Sequence, residues 1–342
     1  VNLPGLLLEM VERGGSDLHL MVGRPPLVRM KDGFLHPLRE ERLSRPLVDR
    51  AISDVFKGAS NAAARLFSRE EIDTTFSCQA GRFRVNIALS EGQPFLVLRE
   101  LKSDIPEPAE LGIPEAFVQA AENAPYGIAM LVGSTGSGKS TTMASVVNHI
   151  LKRKAVRVIT IEDPIEYLLG REGDAVSQRE VGKDTLSFAN ALRSAMREDP
   201  DIIVVGEVRD MDTARQAIIA SETGHLVFVT VHASNVLQAV NRFVGIFPFD
   251  EQRFLKRRLV DSLLAIMAQR LIPSKDGKKR YLASELLIPD HEVRNMLFND
   301  ELERVREMIE GGSHGHSLST SIRRLVERGV ISEEYRKVSQ EV

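Results

Sequence analysis

The sequence predicts an α/β protein in which an N-terminal α+β domain precedes a domain of alternating strands and helices, and a mostly helical segment closes the chain. Three observations carry this. The stretch Gly133-Ser134-Thr135-Gly136-Ser137-Gly138-Lys139-Ser140 fits the phosphate-loop pattern G-x-x-x-x-G-K-[ST], with an apolar run at 128–132 before it and a helical pattern at 140–151 after it. Short apolar runs alternate with helical patterns beyond it, as in a parallel sheet covered by helices. Ahead of the loop the pattern is strand-rich, and after Phe247-Pro248 it is almost wholly helical.

Taken in order, Leu3, Leu6, Leu7, Met10 and Val11 recur at helical spacing, and Gly14-Gly15 stops that helix. Residues 17–22 and 27–30 have strand character, Lys31-Asp32-Gly33 is a turn signal, and Phe34-Leu35 resumes beyond it. Ser44 is placed to cap a helix reaching about Phe56, and a further helix is expected over 62–67. In 82–87 apolar and polar residues alternate, so Arg82, Arg84 and Asn86 share one face while Phe83, Val85 and Ile87 share the other. Residues 95–101 add a strand bearing Arg99, and Ser103-Asp104-Ile105-Pro106-Glu107-Pro108 has the composition of a linker. The expected organisation is therefore an N-terminal domain over 1–103, a linker over 104–114, a strand-and-helix core over 115–275 and a mostly helical end over 276–342.

The loop has chemistry in its spacing. Glycines let backbone N–H groups turn toward phosphate oxygens at the positive end of the following helix, Lys139 adds a point charge, and Ser140 offers a hydroxyl to Mg²⁺. Ser134, Thr135, Gly136, Ser137, Gly138, Lys139, Ser140 and Thr141 are the candidate nucleotide-binding residues. The next apolar run, 156–161, ends in Glu162-Asp163-Pro164-Ile165-Glu166, and ligands of open α/β sheets gather at the carboxyl ends of strands. Residues 201–207 form another such strand, closing on Gly206-Glu207. Phosphate-loop enzymes commonly end this strand in an Asp that supports Mg²⁺, followed by a Glu that activates water. Here Gly206 takes the Asp position, so metal support falls to Ser140, phosphates and waters, with help from Glu162 or Glu166, and Glu207 is the candidate general base. His225 and His232 flank an apolar strand seven positions apart, on opposite faces, which argues against a shared metal.

Beyond residue 248 a helix is expected over 252–271, with Lys256-Arg257-Arg258 on its solvated face. A turn at 275–278, a strand at 281–288 and helices at 291–298, 302–309 and 318–328 follow, and His314 and His316 fall in a glycine-rich loop.

Composition narrows the function. At 342 residues with 43% hydrophobic and 27% charged residues, the chain has the balance of an ordinary soluble protein of roughly two domains. A net charge of −3, 5% aromatics and no Trp argue against a nucleic-acid channel. The single cysteine, Cys78, leaves no intramolecular disulfide and no four-cysteine zinc module, which fits a reducing compartment. The uncharged run 223–241 is broken by polar residues and is too polar to span a membrane, and Val1-Asn2-Leu3-Pro4 does not open a secretory signal. A cytoplasmic location is expected.

With these residues in view the sequence resembles the secretion-ATPase superfamily and, within it, the type IV pilus retraction motors. The resemblance covers most of the chain and rests on the phosphate loop, on Ile161-Glu162-Asp163-Pro164-Ile165-Glu166-Tyr167, on Leu192-Arg193 through Arg197-Glu198-Asp199-Pro200-Asp201, on Gly206-Glu207, and on Thr223-Gly224-His225 through His232. It implies a PAS-like N-terminal domain, a RecA-like phosphate-loop ATPase core and a helical C-terminal subdomain. It also implies a homohexameric ring that hydrolyses MgATP, works at the inner-membrane pilus base with a platform protein and the pilus machinery, and binds no nucleic acid. Arg84 and Arg99 fit the arginines that reach a neighbour's nucleotide, and His225 and His232 become nucleotide-sensing or interface residues. Two positions depart from the family: His291-Glu292-Val293-Arg294-Asn295-Met296-Leu297 lacks the usual opening of an Ala-Ile-Arg-type helix motif, and Ser134 stands where Pro is common. The alternatives are an accessory retraction paralogue, a pilus-assembly or type II secretion ATPase, a RecA-like nucleic-acid translocase and a scaffold that binds ATP without turnover.

Overall fold

In the computed structural model, residues 2–56, 71–101 and 104–338 are described. The chain divides into two compact units, each treated by itself. The first comprises 1–104 together with 163–168 and 180–184, and the second holds the remainder.

The first unit is a six-stranded antiparallel sheet of β1 (Asp17–Met21), β2 (Leu27–Arg29), β3 (Leu35–Pro37), β4 (Ile72–Cys78), β5 (Gly81–Ser90) and β6 (Gln93–Leu101), in the order β3-β2-β1-β6-β5-β4. The alternation in β5 is observed, with Phe83, Val85 and Ile87 fully buried. They pack with Leu18, Leu96 and Leu98 and with Leu3, Leu7 and Met10 of the helix Leu3–Glu12. On the opposite face, β5 and β6 are registered so that Arg84 lies directly across from Arg99. The helix expected over 62–67 lies outside the described residues.

The second unit is built on an eight-stranded sheet containing β7 (Gly127–Val132), β8 (Val158–Glu162), β9 (Val176–Glu180), β10 (Ile202–Val205), β11 (Leu226–Val231), β12 (Leu263–Pro273), β13 (Arg280–Leu287) and β14 (Gly315–His316). Its order is β14-β13-β12-β7-β11-β10-β8-β9. The five strands β12, β7, β11, β10 and β8 are parallel, and β13 and β14 add antiparallel pairs at one side. Burial on both faces goes with continuous apolar runs in β7 and β10 and, apart from Thr230, in β11. The helix Lys139–Leu151 packs Val146, Val147 and Ile150 against Ala129, Leu131, Val204 and Phe228.

The helix expected over 252–271 is corrected by the structure. It runs Phe249–Ser262, and Leu263 begins β12. Leu263-Leu264-Ala265-Ile266-Met267-Ala268 is apolar without a break, and such a run cannot be divided between helix and strand by periodicity; pairing with β7 decides it. The C-terminal part has the strand expected over 281–288, here β13, and the helices His291–Phe298, Leu302–Glu310 and Leu318–Glu327, and it adds the short β14. His316 is therefore not in a loop: it lies in β14 opposite Leu286, within hydrogen-bond distance of the Ser284 hydroxyl.

Candidate active site

Register assembles the site. Val132 of β7 pairs with Val231 of β11, and Val205 of β10 pairs with Val229 of β11 and Ile161 of β8. The residues that follow, Gly133, His232, Gly206 and Glu162, therefore emerge along one carboxyl edge of the parallel sheet, where ligands of such sheets bind.

The phosphate loop leaves β7 at Gly133 and enters the helix Lys139–Leu151 through Gly138, whose φ of 92° is in the left-handed region. A side chain on Gly133 would not fit, because its Cβ would lie 2.5 Å from the Ser137 Oγ and 2.7 Å from the Gln269 carbonyl oxygen. Ser134, Thr135 and Gly136 are exposed, Ser137 is buried, and Ser140 and Thr141 occupy the first turn of the helix. Lys139 Nζ donates to the carbonyls of Gly133 (2.7 Å) and Ser134 (3.0 Å), which holds its charge over the loop. The Ser137 Oγ is buried with no hydrogen-bond partner. A helix amino end, a lysine and an orphaned hydroxyl form a donor-rich cradle of the chemistry that an anionic phosphate requires.

Glu207 follows β10. Its carboxylate accepts from Arg209 Nη2 (2.6 Å) and meets His232 Nε2 at 3.1 Å. Burial works against ionisation of Glu207, but the Arg209 hydrogen bond and charge, with smaller contributions from His232 and Lys139, outweigh it and hold the carboxyl below its ordinary value. Burial and the Lys139 charge push His232 below its ordinary value against the pull of Glu207, so at neutral pH the imidazole is uncharged. Glu162 ends β8 and is held by the Thr160 hydroxyl (2.6 Å) and the Gln178 amide (3.1 Å).

Gly206 has a steric reason that the sequence does not reveal. A Cβ there would lie 3.1 Å from the Ile161 carbonyl and 3.3 Å from Glu162 Cα, so a side chain would push into Glu162. The Gly206 N–H instead donates to the Ile161 carbonyl (2.8 Å), and its own carbonyl accepts from the Thr230 hydroxyl (2.5 Å).

The other candidates have partners of their own. Glu166 lies in segment 163–168, which packs in the first unit, 3.7 Å from Arg84 Nη1. Arg84 forms a forked pair with Asp73, Nη2 to Oδ2 at 2.5 Å and Nε at 3.1 Å from each oxygen, and that carboxylate pushes the guanidinium further up. Arg99 Nε donates to Asp17 at 2.6 Å, with Arg99 two-thirds exposed and Asp17 buried. His225 stands at the opposite end of β11 from the loop, roughly 20 Å away at ~3.3 Å per residue, and its Nδ1 meets the Ala220 carbonyl at 2.9 Å. It is not a member of the site that His232 joins. Residues that sequence reasoning missed are Arg209, Thr230, Thr160, Gln178 and Gln269; the signal available for Gln269 was a lone amide ending an otherwise apolar run.

A phosphate loop on an interior strand of a parallel sheet, with acids at the carboxyl ends of two other strands, defines the class of phosphate-loop nucleotide hydrolases. The comparisons narrow it: residues 3–341 match the family model described as Type II/IV secretion system protein, and the chain belongs to that family and is an ATPase. It is 38% identical to the type IV pilus retractation ATPase PilT of Pseudomonas aeruginosa over 98% of this chain and 96% of that one. It is 35% identical to a twitching motility protein of Neisseria gonorrhoeae over 90% of this chain and 82% of that one. Among solved structures, the pilus retraction motor PilT with bound ADP is similar at a TM-score of 0.89 and 37% identity, covering 99% of this chain and 97% of that chain.

Proposed function

We propose that the protein is a hexameric motor that hydrolyses MgATP to retract type IV pili, acting from the cytoplasm at the inner-membrane pilus base on a platform protein. The observation that carries the nucleotide reading is the alignment of the phosphate loop, Glu162, Glu207 and His232 along one sheet edge. The direction of work rests on similarity to the retraction ATPase over nearly the whole of both chains.

In this reading the loop amides and Lys139 hold the phosphates, and Ser140 takes the metal with water-mediated help from Glu162. Mg²⁺ supplies neutralisation of phosphate charge when bound. Glu207 orients and deprotonates the attacking water, its carboxylate steadied by Arg209 at one oxygen and by His232 beside the other. Arg84 and Arg99 serve the site of a neighbouring subunit, and His225, remote from the loop, belongs to subunit contacts.

The test is a deletion strain carrying either the wild-type gene or Lys139→Ala. The null strain should keep or accumulate surface pili and lose twitching, the wild-type gene should restore motility, and Lys139→Ala should restore none and show no ATP turnover when purified. A bald null strain would place the protein among the assembly motors; turnover by Lys139→Ala at the wild-type rate would remove the site assignment.

A further inference from the structure

Gln269 lies on β12, next to β7, and is 2% exposed. Its Nε2 donates to the carbonyl of Ser137 at 2.8 Å, a contact made across 132 positions of sequence, while its Oε1 is buried without a partner. The reverse orientation of the amide would set Oε1 against the Ser137 carbonyl, two acceptors face to face, so the hydrogen bond fixes the orientation. Burying an amide with one end unpaired costs stability, and an apolar residue of the same shape would avoid that cost. A purely structural role thus leaves the choice of Gln unexplained.

The geometry of the peptide unit explains it. A trans peptide is planar, with its C=O and the following N–H pointing in opposite directions. Drawing the Ser137 carbonyl toward β12 therefore turns the Gly138 N–H away from β12. Gly138 is the residue at which the loop enters its helix, at a φ of 92° that lets the peptide take this orientation, and a Cβ on it would already lie 3.3 Å from Gln269 Nε2. Because glycine at this junction has wide conformational freedom, the peptide needs an external hold to keep one orientation.

We propose that Gln269 is a positioning residue of the phosphate loop: by holding the Ser137 carbonyl it aims the Gly138 N–H at the polyphosphate of the nucleotide. This rests on the nucleotide reading above. The interaction concerns phosphate binding in ground and transition states alike, so its loss should act on affinity and KM and leave kcat largely in place.

The experiment compares the full-length wild type with Gln269→Met, which keeps the shape and loses the donor, and Gln269→Glu, which keeps the shape and turns the donor into an acceptor. Binding of a fluorescent ADP, competition by inorganic tripolyphosphate, steady-state ATPase kinetics and ligand-free thermal unfolding are measured. Gln269→Met should weaken ADP and tripolyphosphate about tenfold and raise KM for ATP by a similar factor, with kcat within about threefold and ligand-free melting close to wild type. Gln269→Glu should weaken both ligands further. ADP and tripolyphosphate affinities of Gln269→Met within twofold of wild type would overturn the proposal and leave the ATPase reading intact. Should Gln269→Met not be recovered folded, Gln269→Leu carries the same comparison. A wild type that binds neither ligand would instead remove the nucleotide reading, and this proposal with it.

Discussion

At the residue scale the site turns on Glu207 and the two groups that grip it. Arg209 and His232 both meet its carboxylate, so the proposed base is oriented and also made less basic than an ordinary glutamate. Removing a general base costs on the order of 10²–10⁴ in rate while sparing ground-state binding. Glu207→Gln should therefore bind nucleotide like the wild type and hydrolyse it that much more slowly, as a paired binding and turnover assay would read. The pH profile follows in sign. A carboxyl held below its ordinary 4.5 stays ionised as pH falls through that value, so loss of Glu207 as a base lies below it. Arg209→Gln removes the strongest of the influences that depress it, and the acid limb of kcat should move to higher pH.

At the element scale one buried carboxylate organises an edge of the first unit. Glu180, 1% exposed, accepts from the Thr74 hydroxyl (2.8 Å), the Thr75 hydroxyl (2.8 Å), the Thr75 N–H (3.2 Å) and the Ile165 N–H (3.4 Å). It ties β4 to segment 163–168, and Arg82 adds a bond to the Ile165 carbonyl at 3.1 Å. Each buried donor left without an acceptor costs about 1–3 kcal/mol. Glu180→Ala should lower unfolding stability by roughly 3 kcal/mol or more in a urea titration. It should also free the segment that carries Glu166; a stability within 0.5 kcal/mol of wild type, the ordinary range of a neutral surface change, would show that water replaces the carboxylate at little cost.

At the scale of the whole molecule, the two proposed arginines are opposite one another on β5 and β6 and each is held by an acid of its own unit, Arg84 by Asp73 and Arg99 by Asp17. Burial works against ionisation of Asp17, but the Ser16 hydroxyl and Arg99 outweigh it and keep its carboxyl below the ordinary range. Such pairs pre-orient the guanidinium groups on a rigid sheet. An arginine supplied to a neighbour's site contributes about 10³–10⁵ in rate. If Arg84 acts in this way, Arg84→Ala and Lys139→Ala subunits are each inactive alone, and mixing them should recover part of the ATPase activity through hybrid interfaces. The assemblies should have a mass near six times the 38.0 kDa chain by light scattering. A mixture as inactive as either parent, with subunit exchange demonstrated, would place Arg84 in the structure of its own domain.

What the sequence determined by itself was local. The phosphate loop, the strands leading to Glu162 and Glu207 and the alternating faces of β5 are written in short-range spacing, because glycine geometry and side-chain period act over a few residues. Family resemblance extended that reading to most of the chain. What only the tertiary structure decided was pairing. It turned Leu263–Pro273 from an apparent helix into β12, placed His225 away from the loop and explained Gly206 by its crowding against Glu162. It brought Glu180 to Thr74 and Gln269 to Ser137 across more than a hundred residues each. Those contacts depend on strand order and register, which set distant residues side by side and leave no periodic trace in the chain.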